Sequence, residues 1–431
     1  MTILAAAGVP SSSVERIAGC AFVPATAAGA IRRIALIGNF LPRRCGIATF
    51  TTHVHDALRA RYHDVATDVY AMNDRGHVYD YPAAVVASIE QNDIASYKDA
   101  AATILRRDTD LIWVQHEFGI FGGPAGHHLL TILDSAPLPL ILTLHTVLSE
   151  PSVEQRLVME RLLRRASLVV VMAQRAETIL RSTYGERVGA VAVVPHGIPD
   201  RPYEEPALAR RCRGWEDRPT IMTFGLLSPD KGIETMIRAM PTIVKACPDA
   251  VYRIVGATHP HVLAHEGESH RDWLRALGRS LGVADHLRWD NRFLQEAELL
   301  DQLAAADLYV TPYRNPAQIT SGALAYAAGL GKPIISTPYV HAQELLGGGR
   351  GSLVLFDDAH ALADAVIGLL RDPAARDAMA KRVRLHSRGA VWTTMVERII
   401  ETARRLVFDV PVTDVLAERD AQTRGVDLIA A

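Results

Sequence analysis

Short apolar runs recur along this 431-residue chain, and most are followed by a turn and then by a segment with helical periodicity. Residues 33–40, 64–72, 83–89, 111–116, 140–145, 168–173 and 191–194 form a first series; 220–224, 251–256, 287–289, 308–312, 333–337 and 352–356 form a second. Strand–helix–strand alternation of this kind builds a parallel sheet covered on both faces, and its ligands sit beyond the carboxyl ends of the strands. Between the two series lies 199–219, PDRPYEEPALARRCRGWEDRP, rich in proline and charge and without an apolar stripe, so it reads as a linker. The length exceeds one compact core, which predicts an α/β chain of two doubly wound domains of about 200 residues each. The division expected is a disordered leader over 1–30, an N-terminal domain over 31–200, a linker over 201–218, a C-terminal domain over 219–385, a helical segment over 386–410 and a polar tail over 411–431.

Charge narrows the partners. With 46 basic against 48 acidic residues there is no excess to neutralise a phosphate backbone, so no nucleic-acid partner is expected. Cys20, Cys45, Cys212 and Cys247 are scattered without a CxxC pair, which predicts reduced thiols and a cytoplasmic protein. No apolar run reaches the length of a membrane span, and residues 1–30 carry Arg16 as their only basic side chain, so neither a transmembrane segment nor a signal peptide is expected. The segment HPHVLAHEGESH is dense in metal-ligand side chains, and His127 and His128 are adjacent, but no HExxH or comparable spacing occurs. It reads as a solvated loop, and no metal is expected.

Chemistry should collect at the strand ends. Gly46 lies in the first loop, LPRRCGIATF, either as a simple turn glycine or to let a ligand approach closely. His116 and Glu117, followed by Gly119, Gly122 and Gly123, end one strand; His145 ends the next; His196 and Gly197 end the last of the first series. His116 and His196 read as packing histidines as readily as site residues, and His145 as a site residue. In the second series the turn FGLLSPDKGIE places Gly225 at a strand end and Lys231 just before a helix, where an ammonium can meet a phosphate. The stretch QITSGALAYAAGLGKPIIST runs from a loop into a small-residue helix whose expected first turn is Thr320, Ser321 and Gly322. Its uncovered N–H groups and the helix dipole favour an anion. Three helices close the chain, over 360–370, 374–384 and 391–406, the last with Trp392, Met395, Ile399, Ile400 and Ala403 on one face.

With the Gly-containing first loop, the PHG before the linker, the DKG turn and the GKPIIST strand, residues 33–408 resemble glycosyltransferase family 4. The resemblance implies the GT-B fold: two Rossmann-like domains facing across a cleft, with a C-terminal helix crossing back to the N-terminal domain. It implies retaining transfer of a hexosyl unit from a nucleoside-diphosphate sugar, GDP-mannose or a UDP-sugar, to a carbohydrate or glycolipid hydroxyl, with no further cofactor. Lys231, His145 and Gln318 would be catalytic. Gly46, Gly225, Lys231, Ile319, Thr320, Ser321, Gly322 and Tyr326 would hold the donor, and His116, Glu117 and Gly122 would lie on the acceptor side. The family's two donor-site glutamates, with seven residues between them, are matched here by Gln318 and Tyr326, and the arginine that often follows the glycine of the DKG strand is Leu226. Glu344 in the following loop is a possible replacement carboxylate. The missing acids keep two other readings open: a non-catalytic partner protein of the same fold, and an epimerase or phosphorylase. The oligomeric state is not implied.

Overall fold

Residues 31–74 and 76–408 are described by a computed structural model of the chain; the leader, the tail from 409 and Cys20 lie outside these residues. The first series of apolar runs forms β1 Arg33–Gly38, β2 Ala66–Asn73, β3 Val85–Glu90, β4 Leu111–His116, β5 Leu140–Leu144, β6 Leu168–Val171 and β7 Val191–Val193. The second forms β8 Thr220–Phe224, β9 Val251–Val255, β10 Leu287–Asp290, β11 Leu308–Thr311, β12 Ile334–Ser336 and β13 Ser352–Leu353. The strands pair in two sheets, in the orders β3-β2-β1-β4-β5-β6-β7 and β10-β9-β8-β11-β12-β13. Every registered pair is parallel. β1, β4, β5, β6, β8 and β11 are almost wholly buried, because helices cover both faces.

Helix Val153–Arg165 falls where its periodicity places it, and Ser152 and Gln155 close a capping box at its start. Helix Ile233–Ala246 buries Ile233, Met236, Ile237, Met240 and Ile243 on one face against the second sheet. The stretch read as a linker is partly helical: Pro206–Cys212 forms a short helix, and its Arg210 is buried with Nη1 2.7 Å from Asp307 at the start of β11. HPHVLAHEGESH also departs from the loop expectation. Pro260 starts helix Pro260–Glu266 and Ser269 starts helix Ser269–Ser280, since proline at the first helical position costs no hydrogen bond.

The last helix, Trp392–Phe408, returns from the second sheet to the first. Trp392, Met395, Val396, Ile399, Ile400 and Ala403 join an apolar cluster with Phe50, Val54 and Leu58 of helix Gly46–Arg61. It is fastened at its start by backbone bonds from Ile198 N to Ala390 O, 2.9 Å, and from Trp392 N to Ile198 O, 3.2 Å. Arg61 and Glu397 form an ion pair along its length, 2.5 Å.

Candidate active site

The carboxyl ends of β5 and β7 meet the loop that follows β11. Phe50, in helix Gly46–Arg61, is the pivot: its ring meets His145, His196 and Trp392 edge-on, with centroids 4.7, 5.1 and 5.0 Å apart. His196 in turn faces Gly322. A Cβ added at Gly322 would lie 2.9 Å from His196 Nε2, so only glycine leaves the imidazole in place. His145 and His196, from one sheet, and Gly322, from the other, thus share one site.

The helix expected to start at Thr320 starts at Gly322 and runs to Gly329. Ser321 is its N-cap, and its Oγ accepts from Leu324 N at 3.2 Å. Ser321 N donates to Nδ1 of His341, 2.9 Å, a residue the sequence reading passed over. The Ser321 amide, an expected anion donor, is therefore already bonded within the protein, whereas the amide of Gly322, also expected, and that of Ala323 make no such bond to any of the described residues. Ile319 is buried in the apolar cluster of the first domain. Gln318 donates from Nε2 to Thr320 O at 3.1 Å, which braces the loop, and Thr320 Oγ1 is enclosed without a partner.

Lys231 lies in a single 3-10 turn, Pro229–Lys231, ahead of helix Ile233–Ala246. Gly232 is left-handed at φ 61°, and a Cβ there would be 1.9 Å from Pro312 O, so glycine lets this turn seat against the end of β11. The Lys231 ammonium lies 4.0 Å from the ring centroid of Tyr313, which leads towards Gln318, and it has no carboxylate partner among the described residues. Gly225 adopts φ 139° at the end of β8, a region that favours glycine. Gly46 is the exposed first residue of its helix, with nothing within 4 Å of an added Cβ.

Other expected residues are engaged elsewhere. His116 is fully enclosed, edge-on to Phe118 and stacked on Phe121 at 6.0 Å, and so presents no accessible surface to an acceptor in this structure. Gly122 is also buried. Its amide donates to Tyr97 Oη at 2.9 Å, and an added Cβ would meet Gln91 O at 1.7 Å. Glu117 accepts from Phe118 N at 3.0 Å and from the hydroxyl of Thr146, which ties the ends of β4 and β5 beside His145. Tyr326 is buried with its hydroxyl 3.4 Å from Glu296, and Glu296 is also 3.1 Å from His53 Nε2. Glu296 thus supplies a carboxylate beside the place of the second expected acid; an acidic residue in the first turn of a helix gives no sequence signal of such a role. Glu344, the possible replacement carboxylate, is engaged within the protein. Its carboxylate accepts from Gln174 N at 2.7 Å and Arg175 N at 3.2 Å, across the domain junction.

Burial keeps the histidines neutral. It pushes His145 and His341 down to about 3 and His196 to about 4, and neighbouring histidines add to each shift. His196 Nδ1 lies 2.7 Å from Gly197 O; a carbonyl only accepts, so that nitrogen carries the proton and Nε2 is a bare acceptor towards Gly322. By the same reasoning His145 Nε2 donates to Gln115 Oε1 at 3.1 Å, and its Nδ1 is bare. A cavity of about 180 Å³ opens at the junction, lined by His196, His341, Glu344, His386 and Arg398 among others. Among the described residues no three His, Cys, Asp or Glu side chains are grouped to hold a metal.

Comparison with known proteins sets this geometry among relatives. Residues 45–201 match the model described as Glycosyltransferase Family 4, and residues 218–372 the model described as Glycosyl transferases group 1. A GDP-mannose-dependent alpha-(1-6)-phosphatidylinositol monomannoside mannosyltransferase of Mycolicibacterium smegmatis is 28% identical over 52% of this chain and 58% of its own. A D-inositol 3-phosphate glycosyltransferase of Kineococcus radiotolerans is 30% identical over 58% of each chain. The chain therefore spans less than two thirds of either relative. Among solved structures, sucrose-phosphate synthase from Thermosynechococcus elongatus superposes with a TM-score of 0.71 at 18% identity, covering 88% of this chain and 100% of its own. That likeness establishes the GT-B fold.

Proposed function

We propose that this chain, which belongs to glycosyltransferase family 4, moves a hexosyl unit from a nucleoside-diphosphate sugar to a carbohydrate or glycolipid hydroxyl, with retention at the anomeric carbon and GDP-mannose as donor. The observation that carries the proposal is the close approach of His196 to Gly322 at the helix start, with His145 beside it against the same Phe50 ring, together with the Lys231 ammonium, which lies on the Tyr313 ring without a carboxylate partner among the described residues. The GDP-mannose dependence in the name of the mycobacterial relative supports the donor assignment.

In the reaction the bond between the anomeric carbon and the diphosphate oxygen breaks, and the acceptor oxygen bonds to the same face of the sugar. The acceptor's proton passes to the departing diphosphate. Charge grows on the diphosphate as the sugar becomes oxocarbenium-like, and Lys231 with the two helix-start amides is arranged to stabilise that anion. The neutral state of His145 and His196 matters here, because an imidazolium beside a cationic sugar would oppose the transition state. Their bare nitrogens instead accept from sugar hydroxyls. Gly46 leaves space at the mouth of the site, and Gln318 holds the loop that carries the amides. No helix among the described residues is long and apolar enough to cross a membrane, so a glycolipid acceptor would be met at the membrane surface.

Replacing one preorganised donor to a developing anion typically costs 10²–10³-fold in turnover. Lys231→Ala is expected to lower kcat by about that factor, read as nucleoside diphosphate released from GDP-mannose; unchanged kcat removes Lys231 from the site. A melting-temperature screen against nucleoside diphosphates and nucleotide sugars tests the wider reading, since a ligand bound only by the folded state raises the apparent stability. No shift with any of them overturns it.

A further inference from the structure

A second basic site lies on the C-terminal sheet, at the amino-terminal half of its strands and away from the strand ends used above. Arg253 on β9 and Arg288 on β10 are register partners. Partners on adjacent parallel strands project from the same face about 4.8 Å apart, so two guanidiniums stand side by side. Like charges in that relation are unfavourable unless something neutralises them. Trp215 covers Arg253, with its ring centroid 3.6 Å from Cζ, and Arg253 Nε is buried without a hydrogen-bond partner. Arg218 completes a cavity of about 200 Å³, lined also by Glu216, Thr220 and Val251.

The internal counter-charge is slight. Glu216 is the one carboxylate in the lining; it is largely exposed, and its Oε2 lies 3.4 Å from Arg218 Nη1 and 3.9 Å from Arg288 Nη2. Arg218 Nε is spent on Asp249 O at 2.9 Å, and Arg288 Nη1 on Asp285 O at 2.8 Å. Arg253 makes no hydrogen bond or ion pair with any described residue. Burial and the neighbouring Arg288 both act against its charge, with Asp290 only partly opposing them. Stacking on tryptophan accounts for the position of the Arg253 plane, but not for an unfilled buried donor or for two guanidiniums in register.

We propose that this cavity binds a phosphoryl group, with Arg253 and Arg288 as bidentate donors and Arg218 as a third cation. Guanidinium forks match phosphate oxygens in pairs, and three cations against one exposed carboxylate suit a dianion. The group belongs either to a soluble phosphate ester or to a lipid headgroup.

Tryptophan fluorescence of the full chain, titrated at constant ionic strength, reads occupancy through Trp215, with Trp215→Phe as the control for signal origin. Inorganic phosphate, mannose 6-phosphate and vesicles containing a phosphomonoester lipid, phosphatidylinositol 4-phosphate, are the probes, with acetate as the anion control. Saturable phosphate binding is expected in the unaltered protein and in Lys231→Ala, and is expected to weaken at least tenfold in Arg253→Gln and in Arg288→Gln. Arg288 is partly exposed, so its variant keeps the test valid if Arg253→Gln misfolds by circular dichroism. Tighter binding of mannose 6-phosphate assigns a soluble ester, and binding of vesicles alone, lost in both arginine variants, assigns a lipid headgroup. Equal binding by the arginine variants, loss in Lys231→Ala alone, equal response to acetate, or no saturable binding of any probe overturns the proposal.

Discussion

His116 and His341 are enclosed at the ends of their segments, and burial pushes both down to about 3. In an unfolded chain each titrates near 6.5. Between those values the unfolded state binds more protons than the folded one, so stability increases with pH through this window and is lost as pH falls. Each ring contributes a slope of up to about 1.4 kcal/mol per pH unit. Glu117 works the other way, since burial raises its carboxyl. Both nitrogens of His116 lack partners, so an apolar ring there sacrifices no hydrogen bond. His116→Phe is expected to gain stability over the unaltered protein as pH falls from 7 to 5, read from urea unfolding at stepped pH; a difference that does not change with pH removes His116 from the acid response. The position of His116 at a strand end was legible in the sequence, but its enclosure depended on the loop after it folding back until Gly122 met Gln91. Tyr326 is a similar case. Its place in the motif was legible, and the carboxylate that meets it, Glu296, comes from a different helix that no local spacing connects to it.

The elements themselves were easier to read. Buried parallel strands are nearly continuous apolar runs, and each expected strand is present to within a few residues at its ends. Helix Pro206–Cys212 was missed because it is held by the Arg210–Asp307 pair rather than by an apolar stripe, and that pair spans two elements far apart in sequence. The start of helix Gly322–Gly329 was placed two residues early, since Thr320 and Ser321 are equally good capping residues by type. Docking of helix Trp392–Phe408 depends on space at Gly197, where an added Cβ would lie 2.1 Å from Trp392 Cε3. Gly197→Ala must therefore displace the indole, and overpacking of this kind costs about 1–3 kcal/mol. A clear fall in melting temperature is expected, with Gly46→Ala as a comparison, since nothing lies within 4 Å of its added Cβ. Equal melting temperatures for the two variants mean that the helix does not depend on that contact.

At the scale of the whole molecule, the two sheets are joined by contacts of different kinds. Ile319 of the second domain is buried in the apolar cluster of the first, and one cluster runs from Phe50 through Trp392 to Tyr326. Beside these, Glu344 acts as a polar clasp. Helix Gln174–Tyr184 begins at Ala173, which offers no side-chain cap, and the Glu344 carboxylate from the opposite domain takes the Gln174 and Arg175 amides instead. A carboxylate suits that end of a helix dipole. The bond exists only while the domains are together, so removing it favours the separated arrangement without altering either domain alone. Glu344→Ala is expected to enlarge the radius of gyration in solution scattering and to raise the donor KM with little change in kcat. Glu344→Gln, which keeps an acceptor but loses the charge, should fall between. Because salt screens an exposed charge, the gap between Glu344→Gln and the unaltered protein should narrow at high ionic strength. If scattering and KM are the same for all three proteins, the apolar contacts around Ile319 and Trp392 hold the domains together and the clasp does not.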